Sequence, residues 1–171
     1  MRLPIRKSEQ LASTKVVDDQ YLTPEAIERM KRTMKRLIDV DRGEAVAEVR
    51  RTGENGDFSE NEEYQAAKWK LRGINNHILV LEDKIKRAIP IQQGSNDGKI
   101  RLGSVVRVST GATGGKESVW HIVGAQEANP VRGKLSHLSP IGQALLGHRE
   151  GEEVTVQVNG REMVFGIKEV R

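Results

Sequence analysis

The segment GENGDFSENEEY, residues 53 to 64, gathers Glu54, Asp57, Glu60, Glu62 and Glu63 without one Lys or Arg. The chain around it is basic, with 28 Lys and Arg against 24 Asp and Glu and a formal charge of +4. Carboxylates are hard oxygen donors, and a hard cation such as Mg²⁺ is their natural ligand. Asp57 and Glu60 stand three residues apart at the expected start of a helix, so they can converge on one point ahead of it. Two carboxylates alone hold Mg²⁺ weakly, because the ion keeps much of its water shell. Such a pair works best by completing a site that another macromolecule already provides. The competing reading is structural: Glu60, Glu62 and Glu63 favour the dipole at a helix N-terminus and need no ligand for that.

Other chemistry is scarce in the chain. There is no Cys, hence no disulfide and no thiolate metal site. His77, His121, His137 and His148 are scattered without metal-ligand spacing, so a self-contained nuclease has no ligands for two metals. No apolar run approaches the roughly 20 residues that span a bilayer. No apolar core follows the charged start MRLPIRKSEQ, so the sequence reads as a cytoplasmic protein with no signal peptide and no membrane contact.

The elements that must position the acids follow from periodicity. Residues 1–20 mix charge and polarity without a repeat and read as a mobile N-terminal extension. In YLTPEAIERM, Thr23 is a good helix N-cap and Pro24 suits the first helical position. The helix is expected to run to about Thr52, with Ile27, Met30, Met34, Leu37 and Ile38 as its apolar stripe. Ala45, Val46 and Val49 continue that stripe less regularly, and Gly53 ends it. Ser59 and Glu62 form a capping box for a second helix. From there Tyr64, Ala67, Leu71, Ile74, Ile78, Leu81, Ile85 and Ala88 recur at alternating steps of three and four, a heptad seam. Pro90 stops it.

Two long helices joined by a short turn run antiparallel. Residues 21–89 are therefore expected to form a coiled-coil hairpin about 45 Å long at ~1.5 Å per residue, with an acidic tip at 53–63. The arms, 24–52 and 64–89, hold 14 basic and 8 acidic residues; the tip holds five acids and no base. A basic shaft with an acidic end suits a phosphate-lined passage. Residues 90–100, beginning PIQQGSNDGK, read as a linker. Beyond it the period changes: 104–109, 118–123, 153–158 and 162–170 read as strands, Asn159-Gly160 as a type I′ hairpin turn, and Ser139-Pro140 as the start of a short helix. Residues 101–171 thus form a small α+β domain, and the fold class is α+β with a helical hairpin in front.

Two of these stretches resemble a known family. ENGDFSENEEYQAAK resembles the tip motif of the bacterial Gre transcript-cleavage factors, of GreA and GreB type, and LSPIGQALLGHREGEEV resembles their C-terminal motif. The resemblance covers residues 21–171. It implies an FKBP-like C-terminal domain that docks on the coiled-coil rim of the largest RNA polymerase subunit, through Leu138, Ser139 and Pro140. It implies a hairpin that enters the polymerase secondary channel, where Asp57 and Glu60 help hold the Mg²⁺ of the polymerase active site and assist cleavage of the nascent RNA 3′ end. The protein would then be a monomeric accessory factor and no enzyme by itself, with no cofactor bound stably. Lys68, Lys70 and Arg72 resemble the enlarged basic patch of the GreB type, which engages longer extruded RNA, whereas YQAAK is closer to the GreA type. Asn55 stands where the family often has His, and a neutral amide cannot shuttle a proton. Phe58 replaces a smaller aliphatic residue, to stack on an RNA base or to pack against the turn. Leu138 stands where a polar residue is common. Only Trp120 and Phe165 are aromatic in residues 101–171, too few to line a prolyl-isomerase pocket. Two other classes fit the same outline: a secondary-channel regulator without cleavage, which needs no paired acids, and a structural coiled-coil adaptor, which needs apolar residues at the tip.

Overall fold

The computed structural model describes residues 19–54, 62–92, 97–111, 115–158 and 160–171. The chain enters through a short strand, β1 (Tyr21–Leu22), and turns into helix α1 (Pro24–Arg36). Thr23 caps α1: its hydroxyl accepts the Ala26 amide at 3.2 Å, and Pro24 follows at the first position. One π-helical turn, Leu37–Asp41, separates α1 from α2 (Arg42–Gly53). After a gap in the described residues, α3 (Glu62–Arg87) runs for 26 residues, about 39 Å at ~1.5 Å per residue. Strand β2 (Ile89–Pro90) then pairs in parallel with β1, Tyr21 opposite Ile89 and Leu22 opposite Pro90. That pairing stitches the base of the hairpin. Further up, Glu48 on α2 meets Lys70 on α3 at 2.7 Å, which fixes the two arms as antiparallel.

The expected seam on α3 holds. Tyr64, Ala67, Leu71, Ile74, Ile78, Leu81, Ile85 and Ala88 are all buried or half-buried, while most of the residues between them are exposed. The stripe on the first arm needs correction. Ile27, Met30, Met34, Leu37, Ala45 and Val49 face inward as expected, but Ile38 and Val46 are exposed, and Asp41 and Thr52 are turned inward. The π turn explains the slip. It inserts one extra residue into the helical ladder, so everything after it rotates by about one position relative to a regular helix.

The remainder is a five-stranded sheet in the order β5-β4-β3-β7-β6, built from β3 (Val105–Thr110), β4 (Glu117–Val123), β5 (Lys134–Ser136), β6 (Glu153–Val158) and β7 (Arg161–Val170). All pairs are antiparallel except β4 with β5. The alternation of the strands sends Val106 and Val108, Val154 and Val156, and Phe165 and Ile167 to one face. There they pack with Ile100, Ile122 and Leu145, the last from the short helix α4 (Pro140–Leu145). The Asn159-Gly160 turn is half outside the described residues; Val158 opposes Arg161 across it, and Gly160 takes a φ of 76°, which favours glycine.

Strand β5 and the two 3₁₀ turns before it, Ala125–Glu127 and Pro130–Arg132, were not expected from sequence. Two expected boundaries also shift. Asp19, placed by its sequence in the extension, is buried and bonded; residues 1–18 lie outside the described residues. Ile91 and Ile100, at either end of the expected linker, are both buried.

Candidate functional site

The end of α2 at Gly53 and the start of α3 at Glu62 lie away from the stitched base, and they bracket the acidic segment in sequence. Asp57, Phe58 and Glu60 lie outside the described residues, as do Asn55 and the Ser59 half of the capping box. The acids that flank them are described: Glu54 is exposed and sits 3.8 Å from Arg50, and Glu62 and Glu63 are exposed in the first turn of α3. Among the described residues, no group of three His, Asp or Glu side chains could hold a metal ion. As donors, Asp57 and Glu60 fit Mg²⁺, being two oxygen carboxylates of the kind that ion accepts beside its waters.

Below the tip, α3 carries Lys68, Lys70 and Arg72, all exposed. They are not equivalent. Lys70 is tied across the hairpin to Glu48; that contact lowers the Glu48 pKa and raises the Lys70 pKa, first through the hydrogen bond and then through charge. Lys68 lies over the Tyr64 ring at 5.0 Å, and Arg72 over the Trp69 ring at 5.7 Å. Among the described residues Lys68 and Arg72 meet no carboxylate, while Lys70 braces the two arms.

The C-terminal motif is held by its own hydrogen bonds. Ser139 Oγ accepts the Gly142 amide at 3.0 Å and donates to the Ser136 carbonyl at 2.6 Å, so the hydroxyl is spent on capping α4. The Leu138 amide donates to Ser136 Oγ at 3.1 Å. Gly142 fits because a Cβ there would stand 2.1 Å from the Ser136 carbonyl oxygen. Pro140 is exposed, and Leu138 is half-buried. Of these three residues Pro140 alone is exposed, and Ser139 caps the helix that it starts.

A joint that the sequence did not announce ties this region to the hairpin base. Glu127, with its side chain only 2% exposed, accepts the Thr23 amide at 2.6 Å and the Thr23 hydroxyl at 2.7 Å, and Lys134 approaches it at 3.5 Å. Asp19 accepts the amides of Tyr21 and Ala125, and its carboxylate stands 3.5 Å from His137 Nδ1. Tyr21 meets the His137 ring edge-on at 5.9 Å. Gly124 makes the approach possible: a Cβ there would sit 1.9 Å from the Tyr21 carbonyl oxygen. The Thr23 cap that starts the hairpin is thus itself held by the sheet domain, next to the 136–140 loop. Nothing local in the sequence signals a partnership 104 residues apart.

No helix among the described residues is long and apolar enough to cross a membrane. Comparison with known proteins agrees with this architecture. A model of the transcription elongation factor N-terminal domain matches residues 20–89, and a model of the GreA/GreB C-terminal domain matches residues 95–171. Transcription elongation factor GreA of Geobacillus kaustophilus is 38% identical over 156 residues, covering 90% of this chain and 98% of that protein. The GreA of Mycoplasmopsis pulmonis is 38% identical over 136 residues, 80% of this chain and 85% of the relative. Among solved structures, the GreA factor homolog Gfh1 of Thermus thermophilus is 29% identical, covers 88% of this chain and 97% of its own, and superposes with a TM-score of 0.39.

Proposed function

The chain belongs to the Gre family of transcription elongation factors, and on that footing we propose that it works by stimulating transcript cleavage inside RNA polymerase. The hairpin enters the secondary channel of the bacterial enzyme, and the sheet domain docks on the coiled-coil rim of the largest subunit through the surface around Pro140. Asp57 and Glu60 then reach the catalytic centre of a backtracked complex. The observation that carries this reading is the antiparallel hairpin, stitched at one end by β1 and β2, with Gly53 and Glu62, the residues that bracket the acidic segment in sequence, at the other.

Each part has a physical task. The basic arms lower the electrostatic cost of entering a channel lined with phosphate and carboxylate. The carboxylates of Asp57 and Glu60 are carried in as oxygen donors that the polymerase site can share. The Mg²⁺ held there, when bound, supplies Lewis-acid activation of the phosphodiester and of the attacking water. The protein's own contribution is to add ligand charge and to orient; it brings the tip, while the partner brings the site. On this account the chain is an accessory factor and does not cleave RNA alone. The paired acids favour this reading over a channel regulator that does not cleave, since a simple obstruction has no use for them.

The test is a transcript-cleavage assay on stalled polymerase. Asp57→Asn and Glu60→Gln should leave folding and polymerase binding intact and lower stimulated cleavage by at least ~10-fold. Raising Mg²⁺ should restore part of it by mass action. Undiminished cleavage by the double variant would overturn the assignment.

A further inference from the structure

We propose that the outer face of α3 is where a second copy of this chain docks, the two α3 helices running antiparallel about a two-fold axis between Ile74 and Asn75. Helix α3 carries two stripes at heptad spacing. One is the seam that holds the arms together. The other has Trp69, Gly73, Asn76 and Val80 at its middle, Glu62 and Ala66 before them, and Asp83 and Arg87 after, at alternating steps of four and three. Every residue of this second stripe is exposed. At ~100° per residue it lies on the side of α3 opposite the seam, so the first arm does not cover it. Trp69 is 67% exposed and Val80 43%, and Leu79 beside them is 62% exposed. An apolar patch of this kind on a basic rod marks an interaction surface.

The stripe is complementary to itself, and that selects the partner. The proposed axis sets Trp69 of one copy against Val80 of the other, Gly73 against Asn76, and Ala66 against Asp83, each pair occurring twice. Glu62 in the first turn then faces Arg87 in the last turn of the second copy, and Glu63 faces Lys86. Arg87 already binds Asp83 in its own helix, and a guanidinium has donors for a second carboxylate. A parallel pair would instead set Glu62 on Glu62 and Arg87 on Arg87, so charge fixes the direction. At Gly73 there is open space where a Cβ would stand, and a cleft of about 440 Å³ there has Trp69 and Leu79 in its walls. That hollow lets the two axes approach, with an indole from each copy as the anchor. Asn76 is the one amide on the stripe, and a single polar Asn in a coiled-coil interface fixes register and the number of helices.

One helix face per copy makes a small interface, of the transient class below ~1,200 Å². The pair therefore forms as the protein is concentrated and parts on dilution. The family resemblance implied a monomer, and the monomer stays the dilute form. Two paired shafts are thicker than one, so the dimer keeps the hairpin out of a narrow passage; that consequence alone rests on the function proposed above.

Sedimentation equilibrium of the full chain at low salt tests this up to ~1 mM, the weak end of specific association. The parent should be a mixture of monomer and dimer, and Trp69→Ala should dimerise at least ~10-fold more weakly. Glu62→Lys with Glu63→Lys makes a variant with two basic ends, and Lys86→Glu with Arg87→Glu makes one with two acidic ends. All four residues are exposed, so both variants should keep the helical circular dichroism of the parent. Each alone should stay monomeric, and an equimolar mixture of the two should dimerise, because unlike ends then meet. A parent that is monomeric up to ~1 mM, a dimer that Trp69→Ala leaves as tight, or a mixture of the two folded charge variants that stays monomeric would each overturn the proposal. The chain has two Trp residues, so Trp120→Phe leaves Trp69 as the only indole. Quenching of Trp69 by RNA polymerase in a chain that never dimerises would give this face to the polymerase and overturn the proposal too. A chain that dimerises in this way yet never stimulates cleavage defeats only the function proposed above; one that stimulates cleavage yet stays monomeric defeats only this inference.

Discussion

The hairpin and the sheet domain hold together by different means. Among the described residues of the two-arm rod, the buried helical ones are Ala26, Ala45, Ala67 and Leu81, with Thr52 beside them. In the sheet domain they are Phe165, Ile122, Ile100, Leu145, Ile167 and a set of valines. Small residues at a helix interface let the two axes approach closely, so the rod stays thin. Large branched and aromatic residues fill a two-layer core, so the domain is a stable body. The contrast teaches that the rod is shaped for reach and the domain for anchorage. The rod draws its firmness from outside the seam as well: from the Glu127 clasp on Thr23, the β1–β2 stitch, and the Glu48–Lys70 brace.

That contrast can be broken in graded steps. Phe165→Ala should cost about 3–5 kcal/mol, because the ring is enclosed and contacts Trp120 edge-on at 5.4 Å. Leu81→Ala, at 8% exposure in a single seam, should cost about 2–3 kcal/mol, since a thin rod can collapse onto the gap. Denaturant unfolding compares the two, and a larger loss at Leu81 would show that the rod, not the domain, is the better-packed region. Glu127→Ala should come next, at about 1.5–3 kcal/mol, the usual worth of hydrogen bonds to a charged group. Its signature should be local: faster hydrogen exchange at Tyr21, Thr23 and Ile89, with the sheet amides unchanged. Uniform exchange across both regions would mean that the clasp belongs to the global fold.

The smallest effect should be the brace between the arms. The hydrogen bond from Lys70 lowers the Glu48 pKa below its ordinary 4.5, so its support is present above that value and is lost as pH falls through the lowered folded-state value. The same contact raises the Lys70 pKa above 10.5, so its support is present below that value and is lost as pH rises through the raised one. Glu48→Gln should therefore melt slightly earlier than the parent at neutral pH, and the two melting curves should converge in strong acid and in strong base. A difference that grew below pH ~4 would contradict the sign of this linkage.

Much of the architecture was legible because it depends on local chemistry. Thr23-Pro24 and Ser139-Pro140 start helices wherever their backbones permit, and both do so here. The seam from Tyr64 to Ala88 depends only on spacing, and the structure keeps its register. What the sequence concealed depends on distance or on a break in period. The π turn at Leu37–Asp41 has no residue signature, and it moved Ile38 and Val46 out and Asp41 and Thr52 in. Glu127 reads as one more surface acid until the fold brings it under Thr23. Strand β5 has three residues, too few to show alternation. At the tip, sequence still carries the argument for Asp57 and Glu60. On the shaft, only the structure separated Lys70, which braces the arms, from Lys68 and Arg72.

The account stands on a division of labour, with chemistry at the tip and occupancy in the sheet domain. A titration of cleavage rate against protein concentration on stalled polymerase tests it directly. Pro140→Asp places a charge on the exposed start of α4, so it should move the midpoint to higher concentration and leave the plateau near that of the parent, because a lost anchor reduces effective concentration at the channel. Asp57→Asn should do the reverse, lowering the plateau with the midpoint in place. A Pro140→Asp curve with a lowered plateau and an unmoved midpoint would mean that the sheet domain shapes the catalytic geometry itself, and the division would fail.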